Sequence, residues 1–459
     1  MKYFSRTHDK DNNLRPPDLY EYFVDNYWFK SVDLENQKIN EPLRGRHKAD
    51  VVIVGGGYTG LSAAFHIKEK FPEKHIVLLE GACCGYGASG RNGGHALTGI
   101  HGLQDICKKE GPEKARELWD ATRFGFNQIK ELVDTHGIDC DLEENGKLVL
   151  AMEERHVPAL EKFKALYDKM GLESTMLSKS EVKQKLNSPR YLEGWTEPYS
   201  GQVNPAKLAI GMRGLIEKLG VQIYERSRVL KIVPGKKVTV ETEFGEIEAP
   251  QAIVTLNGYA PQLGLFKHRV ITATTNVVAT EPLSASQLES IGWAGREGCS
   301  DMRALDLNYF IINAENRIVF GGESPLFFYD DGIHTGSHKP TIEKIKTSLL
   351  LTFPQLEGIK FTHEWGGTLG MTMDWWPSIG VMGEDKNIFY AGGWNGEGIV
   401  MTQLGGKIIS DLVAGEQSDF TGLPFVNRKF PYSGPDPYRH MGLKAYLAYL
   451  DKFGTNVLI

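Results

Sequence analysis

The chain lacks the features that would place it in several common classes. Nowhere in its 459 residues is there a run of about eighteen apolar residues, the length that marks a membrane-crossing helix. The opening stretch, MKYFSRTHDKDNNLRPPDLY, has no apolar core of the kind a secretory signal carries. A cytoplasmic location and no membrane partner are therefore expected. Cysteines are few and odd in number: Cys83, Cys84, Cys107, Cys140 and Cys299 do not make a disulfide framework in a chain this long. Cys83 and Cys84 are adjacent, without the two-residue gap that lets two thiolates share a metal or exchange as a redox pair, so reduced, structural cysteines are expected. There is no paired-histidine metal motif and no Gly-x-Ser-x-Gly elbow, which leaves metalloenzyme and serine-hydrolase readings without support and predicts no metal. A net charge of −6 provides no basic footprint for nucleic acid, and none is expected to bind. With 41% hydrophobic and 24% charged residues, the composition is that of an ordinary globular protein, long enough for two cores.

Residues 1–47 are polar, rich in Asn, Asp and Tyr, and broken by Pro16-Pro17, which predicts an arm that can wrap the domain. The pattern then changes. Val51-Val52-Ile53-Val54 is a continuous β-branched run, predicting a strand buried on both faces, as in a parallel sheet. A helix is expected over 60–70 and a second strand over 75–79, making one βαβ unit. Between them stands Gly55-x-Gly57-x-x-Gly60. With 51 glycines in the chain such a match alone is weak, but this one follows a strand, opens a helix, and has Glu80 ending the next strand twenty positions after Gly60. Gly55 would permit the tight turn, Gly57 the approach of a pyrophosphate, and Gly60 close helix-to-sheet packing. The helix tip would receive the anion. Glu80 would accept ribose hydroxyls and repel a 2′-phosphate, which disfavours NADP. The same glycines would also serve a sharp turn with no ligand.

Between NAD and FAD the next segment discriminates. Gly85 to His95, GYGASGRNGGH, is a loop of small residues with one hydroxyl, one guanidinium and one amide. An NAD-only domain would usually continue here into a regular helix; this loop suits an elongated diphosphate leading to a flavin ring.

Farther on, Ala115, Trp119, Phe126, Ile129 and Val133 fall at helical spacing before Gly137. Asn204-Pro205 caps a helix lined by Leu208, Met212, Leu215 and Leu219. A strand from Val221, a hairpin across Phe244-Gly245 and a strand over 252–256 follow, and strand-like runs such as 270–280 and 318–321 predict a mixed sheet over 261–360. A second strand-to-helix crossover lies at 388–414, with Gly392-Gly393-Trp394-Asn395-Gly396-Glu397-Gly398 at its turn.

Four stretches, VVIVGGGYTGLSAA, GYGASGRNGGH, WGGTLGMTMDWWPSIG and FYAGGWNGEGIVMTQLGGKII, taken together and in this order resemble the D-amino-acid-oxidase-like flavoproteins, and most closely their gamma-glutamylputrescine oxidase branch with its glycine and sarcosine oxidase relatives. The likeness spans roughly residues 49 to 415. It implies an α/β fold: a discontinuous Rossmann-like FAD-binding domain (48–100, 200–260 and 361–415) with an inserted mixed-sheet α+β substrate domain (101–199 and 261–360), an arm at 1–47 and a tail at 416–459. It implies that Gly55, Gly57, Tyr58, Thr59, Gly60 and Glu80 hold the ADP half of FAD. Ser89, Gly90, Arg91, Asn92, Gly93 and Gly94 would pass beside the pyrophosphate and ring, with His95 near the flavin. Val229 matches the strand whose backbone meets adenine, Asn257 and Gly258 close the next strand near the cofactor, and Gly367 belongs to the same set. Gly393, Trp394, Asn395, Gly396, Gly398, Ile399 and Val400 would lie under the pyrimidine end of the flavin, where a helix tip would stabilise charge on the ring.

The activity this implies is oxidation of a C–N bond in a small-molecule amine or amino acid. Hydride passes to flavin N5, the resulting imine hydrolyses to an aldehyde or keto acid, and O2 is the expected acceptor. A quinone or carrier-protein acceptor, or a nucleotide-binding protein without turnover, are the alternatives. Candidates for the substrate face are Arg303, Tyr309, Trp365, Asp374 and Glu397. Arg303 could instead form an ordinary salt bridge, Tyr309 and Trp365 could pack the core, and Glu397 could be a solvent-facing helix start. Glu397 is the most informative, because family members commonly carry a neutral residue or His there, and a carboxylate beside the flavin is tolerable only opposite a cationic substrate. Lys267 could activate oxygen or be an exposed loop lysine. The context of Cys299 does not match known covalent-flavin attachment. The amine and the oligomeric state stay open.

Overall fold

Four consecutive β-branched residues with no exposed face, Val51–Val54 (β1), form a central strand of the sheet that positions the site. The computed structural model describes residues 4–5, 26–33, 37, 39–301, 307–334 and 336–453. Among them, β1 belongs to a six-stranded sheet with Ile76–Leu79 (β2), Gln222–Tyr224 (β3), Gln251–Val254 (β4), Ser378–Met382 (β5) and Ile388–Gly392 (β6), in the order β3-β2-β1-β4-β6-β5. All neighbours run parallel except β5 beside β6. Alternate side chains leave opposite faces, as the pleat requires. Val51, Ile53, Ile76, Leu78 and Ile253 meet helices, while Val52, Val54, Val77, Leu79 and Val254 meet a five-stranded sheet that includes Val238–Thr242 and Gly245–Ala249, the expected hairpin. A strand buried on both sides needs the unbroken apolar run seen in the sequence.

The helices are Tyr58–Lys70 (α1), Pro112–Asp134 (α2), Pro205–Lys218 (α3) and Gly398–Ala414 (α4). The side chain of Asn204 caps α3 by accepting from the Lys207 amide at 3.1 Å, and Pro205 takes its first turn. α1 and α4 lie so close that a Cβ at Gly406 would stand 2.2 Å from Ser62 Oγ. α2 packs on α4 just as tightly, a Cβ at Gly125 reaching 2.4 Å from the Val400 carbonyl.

Two segments make contacts outside the layer expected for them. α2, assigned with 101–199 to the inserted domain, also packs on α4 of the parallel-sheet layer: Ala115, Leu118, Phe126, Ile129 and Leu132 share a core with Val400, Met401 and Leu404, while Trp119 meets Tyr167 and Tyr199 of the segment assigned with it. The strand Phe361–Met371, assigned with 361–415 to the FAD domain, is the edge of the second sheet, paired along its length with Ile271–Thr280. That second sheet has eight strands, in the order Phe361–Met371, Ile271–Thr280, Ile318–Phe327, Tyr309–Ile312, Gly298–Asp301, Lys147–Ala151, Glu193–Glu197 and Thr175–Leu177. It is mixed, with one parallel pair, Gly298–Asp301 beside Lys147–Ala151. Glycines interrupt the edge strand where other backbone crosses it: a Cβ at Gly370 would lie 2.5 Å from Asn257 Oδ1 and one at Gly366 2.4 Å from the Gly336 carbonyl. All five cysteines are free thiols. No helix among the described residues is long and apolar enough to cross a membrane.

Candidate functional site

Both glycine turns open onto one cavity of about 1150 Å³. The topology brings them there. β1 and β6 flank β4, all parallel, so their carboxyl ends and the helices that follow emerge at the same edge of the sheet, where α/β sheets bind ligands. Gly55 has φ +111°, a conformation open to glycine. A Cβ at Gly60 would fall 2.0 Å from the carbonyl of Gly55, so no side chain fits there. Gly55, Gly57 and Thr59 line the cavity from the turn into α1; Trp394, Asn395, Gly396, Glu397, Gly398 and Ile399 line it from the turn into α4. At the tip of α1, the Tyr58 amide donates to Ser89 Oγ at 3.0 Å. The side chain of Glu397 makes no capping bond to α4, so that tip also presents amides to the cavity.

Glu80 stands at the end of β2 on the same wall, beside Val229. Its Oε2 accepts from the Gly56 amide at 2.7 Å and its Oε1 from the Ala82 amide at 2.9 Å. Burial pushes the carboxyl up to about 7, with the neighbouring Glu225 adding to the rise, against the pull of those amides. Each oxygen keeps a lone pair for a further donor.

The loop after β2 lines the middle of the cavity through Ser89, Arg91, Asn92, Gly93 and His95. Arg91 does not extend into it. The guanidinium is buried, donating from Nε to the Tyr86 carbonyl at 2.8 Å and from Nη1 to the Gly366 carbonyl at 3.2 Å, and lying over the Tyr86 ring at 4.7 Å. It braces the loop against the second sheet, and a Cβ at Gly367 would come within 3.0 Å of Arg91 Cβ. The Asn92 amide is likewise internal: Nδ2 donates to the carbonyls of Ala88 and Ser89 at 3.0 Å each, and Oδ1 accepts from Gly94 at 2.9 Å. Asn257 Oδ1 accepts from the Gly393 amide at 3.0 Å, and Asn395 Oδ1 from the Thr372 amide at 2.8 Å. Two asparagines, both in the left-handed region at φ +45° and +54°, which Asn tolerates, thus tie the second glycine turn to the end of β4 and to Thr372. Gly60, Gly90, Gly94, Gly258, Gly393 and Val400 are not lining residues; they support the wall from behind, Gly90 against the Phe29 ring and Gly258 against the Leu369 backbone.

At the far end, His95 and Tyr309 meet edge to face, ring centroids 5.8 Å apart. Burial drives His95 down to about 4 and Tyr309 up to about 12, so both are neutral at neutral pH. Glu397 faces His101, Oε1 to Nε2 3.5 Å, and Trp375 leans on the His101 ring at 5.0 Å. Lys147, Asp301 and His334 also line this end. Asp301 already accepts from Asn308, at 2.8 Å from its backbone amide and 2.7 Å from Nδ2.

Several expected substrate-face residues stand elsewhere. Trp365 is a core residue: it is 2% exposed, its indole donates to the Arg91 carbonyl at 2.8 Å, and the 90–92 loop separates it from the cavity. Asp374 pairs with Arg428, and Lys267 pairs with Asp330 at 3.2 Å, both away from the cavity wall. Cys299 is buried in the apolar core on the other face of the second sheet. Arg303 lies outside the described residues. Sequence reasoning missed His101, Trp375, Lys147 and His334. The available signal was the GIHG stretch, where Gly99 and Gly102 take φ +97° and +83° to turn His101 inward.

The wall suits a long dinucleotide. It has a glycine cradle that a Cβ would fill, an acidic strand end, two helix tips on one cavity, and a volume above the roughly 300–1,000 Å³ of common small-ligand pockets. The chain matches the family DAO, FAD dependent oxidoreductase, over residues 50–412. It is 32% identical over 446 residues to the probable oxidoreductase OrdL of Haemophilus influenzae, covering 95% of this chain and 99% of that protein. To the gamma-glutamylputrescine oxidoreductase of Escherichia coli it is 32% identical over 419 residues, covering 88% and 93%. The crystal structure of glycine oxidase from Geobacillus kaustophilus shares the fold, with TM-score 0.71 at 21% identity over 83% of this chain and 99% of that one. Motifs, cavity and relatives converge: the chain belongs to the DAO family of FAD-dependent oxidoreductases, and its cofactor is FAD.

Proposed function

We propose that the chain oxidises a C–N bond in a small amine that carries positive charge, passing the electrons through FAD to O2. The observation that carries this reading is the place of Glu397. It is the residue before the first turn of α4, it lines the cavity, and its carboxylate is held near His101 with Trp375 packed alongside. Bound FAD supplies the two-electron acceptor for a carbon next to nitrogen. The chain's own residues do the rest. The α4 tip offers amides to negative charge. Glu397 Oε1 binds the substrate ammonium and can hold the proton that must leave before the nitrogen lone pair is available, with His101 Nε2 placed 3.5 Å away to share it. His95 and Tyr309, both neutral, add no charge that would compete for the ammonium. The relative named gamma-glutamylputrescine oxidoreductase supports an amine substrate class.

The test is an anaerobic titration of the FAD-loaded protein with a panel of diamines, N-acylated diamines, N-methyl amino acids and D- and L-amino acids. Loss of flavin absorbance with cationic amines is expected, followed by about one peroxide per substrate when air is admitted. Bleaching without peroxide would transfer the electrons to a quinone or carrier instead. No bleaching by any amine would overturn the proposal.

A further inference from the structure

Three consecutive carbonyls of the cavity-lining loop are held from outside the cavity by three side-chain donors. Asn26 Nδ2 donates to Gly90 O at 3.0 Å, Trp365 Nε1 to Arg91 O at 2.8 Å, and Trp28 Nε1 to Asn92 O at 2.9 Å. None of the three donors lines the cavity, and none is more than 2% exposed. In a planar trans peptide the carbonyl and the next amide point in opposite directions. Turning the carbonyls of Arg91 and Asn92 outward therefore turns the amides of Asn92 and Gly93 toward the cavity.

Two of the donors come from a segment outside the 50–412 stretch that carries the family likeness. That segment is the short helix Tyr27–Ser31, capped by Asn26, whose Oδ1 accepts from the Trp28 amide at 2.9 Å. It is tied to both layers. Tyr27 OH accepts from Asn313 Nδ2, in the turn after the second-sheet strand Tyr309–Ile312, at 2.7 Å, and Ser31 Oγ accepts from Asn204 Nδ2 at the cap of α3 at 2.8 Å. The Trp28 and Trp365 rings meet edge to face at 6.5 Å. Phe29 lies beneath the Arg91 guanidinium at 5.5 Å and blocks any side chain at Gly90.

We propose that residues 26–31 form a cofactor latch, in which Asn26 and Trp28, together with Trp365, are positioning residues that fix the 90–93 loop with its amides directed at FAD. The inference concerns how tightly FAD is held and stands whichever amine is oxidised. A loop fixed before binding loses less freedom on binding, and affinity rises accordingly. A deleted donor leaves a buried carbonyl unsatisfied; at Arg91 and Asn92 the loop relieves it by rotating the same peptide whose amide faces the cavity, whereas the Gly90 carbonyl, in the peptide whose Arg91 amide donates to the Ala88 carbonyl at 3.3 Å, anchors the start of the loop.

The full-length protein is prepared with FAD, stripped and reloaded, as Trp28→Phe, Trp365→Phe, Asn26→Asp and, as a control at an equally buried indole remote from the loop, Trp293→Phe. Trp28→Phe and Trp365→Phe keep an aromatic side chain and remove the donor together with part of the indole, a loss of volume that Trp293→Phe reproduces, and Asn26→Asp keeps the cap acceptor. Expected for the three latch variants is FAD binding weaker by about tenfold or more, equivalent to about 1.4 kcal/mol. The gap between holo and apo Tm should narrow and the visible circular dichroism of bound flavin change, while Trp293→Phe leaves all three unaltered. A purely structural role would lower apo and holo Tm together with FAD affinity unchanged. That result in Trp28→Phe overturns the proposal, and Trp28→Phe decides alone if Asn26→Asp does not fold.

Discussion

Nε2 of His101 lies 3.5 Å from Oε1 of Glu397. The two come from distant parts of the chain, one from a loop between glycines and one from the start of α4, and they meet on the wall of the cavity. A carboxylate at a helix N-terminus interacts favourably with the helix dipole, and this one stands on the wall where a substrate cation would meet it. Replacing Glu397 with Gln removes the charge and keeps the shape. Expected is a fall in kcat/KM for cationic amines of about 30-fold or more, corresponding to the roughly 2 kcal/mol or more lost when a desolvated charge pair is broken, with FAD content unchanged. Steady-state kinetics across a series of amines of differing charge checks this, and equal losses for every substrate would remove Glu397 from ammonium recognition.

Glu80 gives a pH-dependent prediction of opposite sign for the empty and the loaded protein. Its folded-state carboxyl titrates near 7, raised from 4.5 by burial. A raised carboxyl favours the protonated folded state, so this group stabilises the apoprotein fully below the unfolded value of 4.5, and that contribution is lost as pH rises toward 7. In apoprotein Glu80→Gln, the decline in Tm across that window should flatten, and stability above pH 7 should exceed wild type. If Glu80 receives the ribose hydroxyls of FAD, affinity should nonetheless weaken by about tenfold or more, since hydrogen bonds to a charged acceptor are among the stronger ones, and unchanged affinity would remove Glu80 from that role. Paired apo and holo melting curves separate the two effects.

What could be read from sequence was what depends on local period and local sterics. β1, α1 and β2 follow from a β-branched run, three spaced glycines and a terminal acid; the hairpin at Phe244-Gly245 and the second crossover at 388–414 follow for the same reason. Trp365 shows where such reading ends. It shares a strand face with Gly367, which does line the cavity, yet the 90–92 loop lies between its indole and the cavity, and nothing in either segment announces that layer. Trp375 and Lys147 carry no pattern, and His101 is marked only by the glycines around it, because the far end of the site is made by loops and a sheet strand converging from separate regions. The two segments that pack outside their expected layer have the same origin: α2 meets α4 from far along the chain as well as its sequence neighbours, and glycines at 366, 367 and 370 interrupt the apolar pattern of the edge strand.

Gly60 tests the cradle. A Cβ there would stand 2.0 Å from the Gly55 carbonyl, inside the turn, and backbone cannot move aside as a side-chain end can. Gly60→Ala should cost about 3 kcal/mol or more and yield protein without FAD. Gly415, at the end of α4, has φ +69° and open space around it. Gly415→Ala should cost only about 1 kcal/mol for the left-handed backbone and keep its FAD. Comparing flavin content and denaturation midpoints of the two variants distinguishes steric exclusion at the cofactor turn from a general intolerance of glycine substitution.

Arg439 anchors the C-terminal segment to the wall of the same cavity. Its guanidinium, 6% exposed, lies 2.9 Å from Asp331 Oδ1 and 2.9 Å from Asp436 Oδ2. Asp331 in turn accepts from Gln262 through its backbone carbonyl at 2.8 Å, and Gln262, Ile333 and His334 line the cavity. Burial raises the Asp331 carboxyl even beside the arginine; at Asp436 burial also pushes upward, but the hydrogen bonds and charge of Arg439 win and hold it below the usual carboxylate range. Arg439→Met would leave two shielded carboxylates facing each other without their cation, a loss of about 3–5 kcal/mol. The sign of its pH dependence follows. In wild type the depressed Asp436 stabilises above its unfolded value, and that stability is lost only as pH falls through its lowered folded one. Without Arg439 both carboxyls are raised, so protonation relieves the variant. Chemical denaturation at pH 8 and pH 5 should therefore show a larger deficit for Arg439→Met at pH 8, and an equal deficit at both would mean that the arginine acts by packing rather than by charge.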